Sequence, residues 1–328
     1  MDNNSSKSKD EIRLELPFKN LFLNAGFVSG DNSITKYIST ILLTIFAYFS
    51  YQILMGIVLI YFAQKNGVNI YDTQTLARVL LNPEALGISK NFMLVLLLGM
   101  FVFTFWTFYV AVKRIHQKNF ISVITAYPDV RWSRVFFAFG AWAVIFLLMF
   151  LIDYLIVSPD NYVLNFDASK FVVLFVISII FLPLQTSFEE IFFRGYLMQG
   201  LALVFKNGYM PLLLTSLLFG LAHMNNPEAQ KFGAFIMLPY YSLFGLFLGV
   251  LALWNNGLEL SIGIHAANNI LSSLLITSKN SVLQTDALFI IQKENPVNDF
   301  LLWIGGAVVT LIIFIAKYQF KNLNQHLK

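Results

Sequence analysis

Apolar residues run along this chain in long, nearly unbroken stretches rather than in short alternating segments. Eight stretches approach the roughly 20 residues that cross about 30 Å of hydrocarbon: 38–63, 91–112, 134–157, 170–190, 209–225, 234–254, 257–277 and 300–316. The fifth is short and the seventh is the most polar. Every backbone amide must be satisfied within lipid, and these stretches far exceed barrel strands, so the spans are expected to be helices. The pattern predicts an all-α, polytopic membrane protein with about eight transmembrane helices.

The polar positions set the topology. Residues 1–37 are mixed in charge and lack the short apolar core and cleavage site of a signal peptide, so the first span should be retained. Alternate connections place Lys113, Arg114, Lys118, Arg131, Arg134, Arg194, Lys206 and both termini on the more basic side, which predicts cytoplasmic termini. Segments 64–90 and 278–299 are the sizeable connections on the other side, and "TQTLARVLL" in the first is a candidate interfacial helix. Gly245 and Gly249 form a small-xxx-small pair, read as a packing feature.

Composition narrows the chemistry. Only 12% of the 328 residues are charged, against about 25% in soluble domains, and the net charge of +4 comes without a basic cluster, so no nucleic-acid partner is expected. Without cysteine there is no disulfide, thiol nucleophile or thiolate site, leaving His, Asp and Glu as the strong metal ligands.

Polar side chains inside the apolar runs are costly and are usually functional or mutually paired. "FEEIFFRG" carries Glu189, Glu190 and Arg194, "FGLAH" carries His223 and "HAANN" carries His265 and Asn269, whereas His116 and His326 lie in polar segments and read as solvated. Glu190 and Arg194, four apart, can pair in the favourable order, and His265 and Asn269 share a helix face by the same spacing. Glu189 is left without an obvious partner, on a side with Phe192 and Phe193. An apolar surround disfavours a carboxylate's charged form and poises it as a base. Each motif alone has a structural alternative: an ion pair, a packed histidine, or an amide bridging helices for about 0.6–2 kcal/mol. Together they supply a base, proton carriers and oxyanion donors, the parts of water-activated carbonyl hydrolysis.

In order, E-E-x-x-x-R, F-x-x-x-H and H-x-x-x-N resemble the motifs of the CPBP (Abi) intramembrane proteases, which include the CAAX prenyl endopeptidases. The likeness covers residues 170–277. It implies accessory helices at 38–157, a catalytic core at 158–280, and a last loop, final span and cytoplasmic tail at 281–328, after the N-terminal segment 1–37. By position, Glu189 would activate water with help from His223. Arg194 would orient the acids through Glu190, and His265 and Asn269 would donate to the oxyanion, a donor elsewhere being worth about 2.7–4 kcal/mol.

The resemblance implies a membrane-associated peptide or protein substrate and lipid contact. Members of that family are often called metalloproteases, but the motifs here lack H-E-x-x-H spacing, and a glutamate–histidine pair with an amide donor is a complete metal-free set. No required cofactor is therefore the favoured expectation. Zinc held by Glu189, His223 and His265 is the alternative. Abundant Phe, Ile, Asn and Lys fit a low-GC bacterium and hence a bacterial cytoplasmic membrane. A non-catalytic immunity or partner-binding protein and a proton-coupled transporter are the competing classes. Convergence of the motifs needs the fifth run to begin outside the bilayer or the fourth helix to continue past Arg194, around a wet cavity expected to open to the cytoplasmic side.

Overall fold

Helices supply nearly all the regular structure of the computed structural model, which describes residues 17–68, 83–320 and 322–327. The expected interfacial helix "TQTLARVLL" lies outside the described residues. After the short α1 (Leu21–Ala25), capped by Asn20, come α2 (Ile34–Lys65), α3 (Lys90–Arg114), the single turn α4 (Ile121–Ile124) and α5 (Trp132–Ile152), which widens into π-helical Asp153–Val157. The rod α6 (Ala168–Phe205) starts where Asp167 accepts from the Ser169 and Lys170 amides, and is π-helical over Ile191–Leu197. Then follow α7 (Tyr209–Ala222), α8 (Pro227–Phe232), α9 (Ala234–Asn255), α10 (Glu259–Leu275), α11 (Pro296–Tyr318) and α12 (Leu323–Leu327).

Among the described residues six helices are long and apolar enough to cross a membrane: α2, α3, α5 with its π turn, α6, α9 and α11. Two of the eight expected spans fall short of that length. α7 has 14 residues and α10 has 17, which reach only about 21 and 26 Å at about 1.5 Å per residue. Their extra polar residues are met inside the protein: α10 lies against α5 and α6, and α7 against α9. The fourth helix does run on past Arg194, which resolves the convergence problem.

Close backbone approaches set this packing. A Cβ on Gly263 of α10 would lie 2.3 Å from the Val135 carbonyl oxygen of α5, and one on Gly249 of α9 would lie 2.5 Å from Leu212 of α7. Gly245 meets the Ser216 backbone in the same seam, so the glycine pair packs α9 on α7. α10 is fixed at its start by Glu259, which takes Arg131 Nε and Nη2 at 2.9 and 2.8 Å and Asn255 Nδ2 at 2.7 Å. An acid in a first turn also suits the helix dipole.

The described terminal segments meet at one end of the bundle. Asn20 donates to Leu253 O at 2.9 Å and contacts His326, and Gly208 N donates to Leu327 O at 2.9 Å. At the same end His116 is fully buried, contrary to its expected solvation. Its Nδ1 donates to the Asp31 carbonyl at 2.8 Å, so Nε2 accepts from Tyr196 Oη at 2.7 Å. Polar sequence neighbours had suggested a surface, but the loop folds back onto α6. At the opposite end a small sheet pairs Tyr162–Leu164 antiparallel with Phe289–Ile291, which pairs parallel with Ile276–Thr277.

Candidate active site

The glutamate pair sits where α6 passes from α- to π-helical winding, an irregularity frequent at functional sites. Glu190 and Arg194 are both fully buried and joined at 2.8 Å. His265 of α10 bonds the same Glu190 oxygen through Nδ1 at 2.8 Å, and its Nε2 lies 3.6 Å from Glu189 Oε2. One imidazole therefore spans both acids. The Arg194 guanidinium lies over the Phe219 ring at 4.1 Å, a cation–π contact in a water-poor setting.

Glu189, 7% exposed, is not partnerless. Gln185, one turn back along α6, donates Nε2 to its Oε1 at 2.8 Å, while Oε2 has no hydrogen-bond partner. The amide chain continues outward: Asn269 Nδ2 donates to Gln185 Oε1 at 3.2 Å, Asn268 Nδ2 to Asn269 Oδ1 at 3.2 Å, and Trp142 Nε1 to Asn268 Oδ1 at 3.3 Å. Gln185, Asn268 and Trp142 were not singled out from the sequence. The i, i+4 spacing that pairs Glu190 with Arg194 also links Gln185 to Glu189, and was the available signal.

His223 caps α7. Its Nδ1 donates to the Phe219 carbonyl at 2.7 Å, which fixes Nε2 as the free acceptor. Phe219, 4.5 Å away, and Tyr241, stacked at 4.4 Å, flank the ring, and Tyr241 Oη donates to Glu228 at 2.6 Å. Phe219 also lies 6.0 Å from the His265 ring, so one phenyl separates the two imidazoles. Glu189, Glu190, Arg194, His265 and Asn269 thus form one connected cluster, with His223 beside it. Among the described residues no three His, Asp or Glu side chains gather to hold a metal ion. Glu189, His223 and His265 do not gather closely enough as arranged to hold zinc, although the bond from His265 Nδ1 to Glu190 leaves Nε2 free to ligate.

The Type II CAAX prenyl endopeptidase Rce1-like family matches residues 168–271. Over 278 residues the chain is 30% identical to the "Uncharacterized protein YyaK" of Bacillus subtilis (strain 168), covering 82% of this chain and 87% of that protein. No solved structure matches. The chain is an integral membrane protein of the CAAX-protease class, and it belongs to the Rce1-like family.

Proposed function

We propose that this protein is an intramembrane endopeptidase that cleaves a membrane-associated peptide with water activated by Glu189. The observation that carries the proposal is the asymmetry of that carboxylate: Gln185 anchors Oε1, and Oε2 is left unpartnered, facing an imidazole at 3.6 Å. Water oxygen attacks the scissile carbonyl carbon while its proton passes to Glu189 Oε2. The carbonyl π pair moves onto oxygen. As the C–N bond breaks, that proton goes to the leaving amine, and a carboxyl and an amino terminus are released.

His223 Nε2, the free acceptor, helps hold the water. The second Asn269 N–H, and His265 Nε2 when it carries a proton, can receive the oxyanion. Glu190 and Arg194 position His265. Glu189→Gln and His223→Ala separate the competing classes: proteolysis survives neither change, immunity by binding survives both, and transport appears as uptake that follows a proton gradient. Activity is expected to survive exhaustive chelation; its loss, with rescue by zinc alone, would replace this chemistry with a metal-based one.

A further inference from the structure

Unlike the other site residues, His223 sits at a helix end. It closes α7, and past it Met224 N donates to Leu221 O and Asn226 N to His223 O, so the chain turns away into α8. A helix end frays more readily than its middle. The hydrogen bond from Nδ1 to the Phe219 carbonyl fixes only one point of the imidazole, which remains free to swing about that bond and carry Nε2 with it. Phe219 flanks the ring at 4.5 Å, but it lies one turn back on α7 and moves with the same helix end.

Tyr241 comes from a different helix. It reaches from α9, stacks on the imidazole with centroids 4.4 Å apart and planes 24° from parallel, and ties the ring to another part of the bundle. Contacts therefore run from Arg194 over Phe219, through His223, to Tyr241. The tyrosine is itself held. Its Oη donates to Glu228 Oε1 at 2.6 Å, a distance in the charge-assisted range, and Asn226 Nδ2 donates to the same oxygen at 3.2 Å. Glu228 thus joins the turn that follows His223 to the helix that carries Tyr241. An acid and a lysine three apart on a helix are placed to pair, yet Lys231 Nζ bonds Glu294 instead, and Glu228 Oε2 is buried without a hydrogen-bond partner among the described residues. The carboxylate is committed to the phenol rather than to a surface ion pair.

We propose that Tyr241 is a positioning residue for His223 and that Glu228 is its tether: together they set the plane of the imidazole, and so the direction of the Nε2 lone pair toward the reacting water. The role of that water rests on the hydrolase reading above; the hold on the ring from α9 does not.

The chain has four histidines, so the full-length protein carrying 13C,15N-histidine in nanodiscs gives four ring systems, and His223→Asn identifies the one concerned. The flanking aromatic rings shift its ring protons upfield. Tyr241→Leu is expected to reduce that shift and to lower the release of peptides with 18O-labelled carboxyl ends from membranes in 18O water by about 100-fold, the cost of a misplacement of about 1 Å. Tyr241→Phe and Glu228→Leu keep the stacked ring but lose the tether, and should broaden the signal and lower release by about 10-fold. Glu228→Gln keeps an acceptor for the phenol and should retain both signal and rate, as should Tyr240→Phe, whose ring packs on Phe300 and Trp303. A His223 signal unchanged by Tyr241→Leu overturns the proposal, as does a shifted signal with release at the parent rate, or a loss in Glu228→Gln as large as in Glu228→Leu. If Tyr241→Leu does not fold, the two Glu228 variants decide. A parent chain that releases no labelled peptide, while Tyr241→Leu still moves the signal, removes the hydrolase reading and keeps the hold on the ring.

Discussion

Gln185 holds Glu189 from one turn away on the same helix, Nε2 to Oε1 at 2.8 Å. A hydrogen bond to a charged group contributes about 1.5–3 kcal/mol. If that bond keeps the carboxylate aimed at the reacting carbonyl, Gln185→Leu should lower kcat about 10- to 100-fold with little change in KM. A raised KM at constant kcat would instead place Gln185 in contact with substrate.

Arg194 and Glu190 are a pair without solvent. Removing one partner of a buried pair leaves an uncompensated charge and costs about 3–5 kcal/mol. Arg194→Met should therefore lower the Tm in detergent by many degrees and abolish activity. Glu189→Gln, which keeps size and the Gln185 contact, should abolish activity at nearly unchanged Tm. Equal Tm losses for both would assign Glu189 a structural role.

The packing of α9 on α7 has its own signature. With the Gly245 Cβ position 3.0 Å from Arg194 Nη2 and 3.2 Å from backbone, Gly245→Ala forces the helices apart. Overpacking costs about 1–3 kcal/mol. Activity should fall further than stability, because the displaced group is Arg194. Gly305→Ala, with open space around its Cβ position, serves as the tolerant control.

Burial pushes Lys118, which donates to Tyr37 Oη at 2.9 Å, down from 10.5 to about 8, and lowers His116 below 6.5. Between pH 8 and 10.5 the unfolded chain binds a proton that the folded one releases, so stability rises with pH across that window and is flat in this group below it. His116 acts with the same sign at lower pH, and stability falls as pH drops below 6.5. The Tm in detergent should climb from pH 8 to 10 for the parent, and the climb should shrink in Lys118→Met. Identical slopes would contradict the burial argument.

Helices and their ends were legible because hydrocarbon thickness imposes run length: the expected 91–112 and 234–254 became Lys90–Arg114 and Ala234–Asn255. α7 and α10 were less legible, because a helix sheltered by protein need not span. Glu190 with Arg194 followed from spacing within one helix. The bond from His265 to Glu190 crosses from α6 to α10 and depends on the π-helical turn, which no local pattern announces. His116 was misjudged because polar neighbours in sequence do not say whether a loop folds inward.

The central claim is that Glu189 takes the proton of the attacking water. Its most direct measure compares peptides released in 18O water by membranes carrying the parent chain and by membranes carrying Glu189→Gln at equal abundance. Peptides whose new carboxyl ends carry 18O should accumulate with the parent and be absent with the variant. The same labelled peptides at the same rate from both would contradict the account.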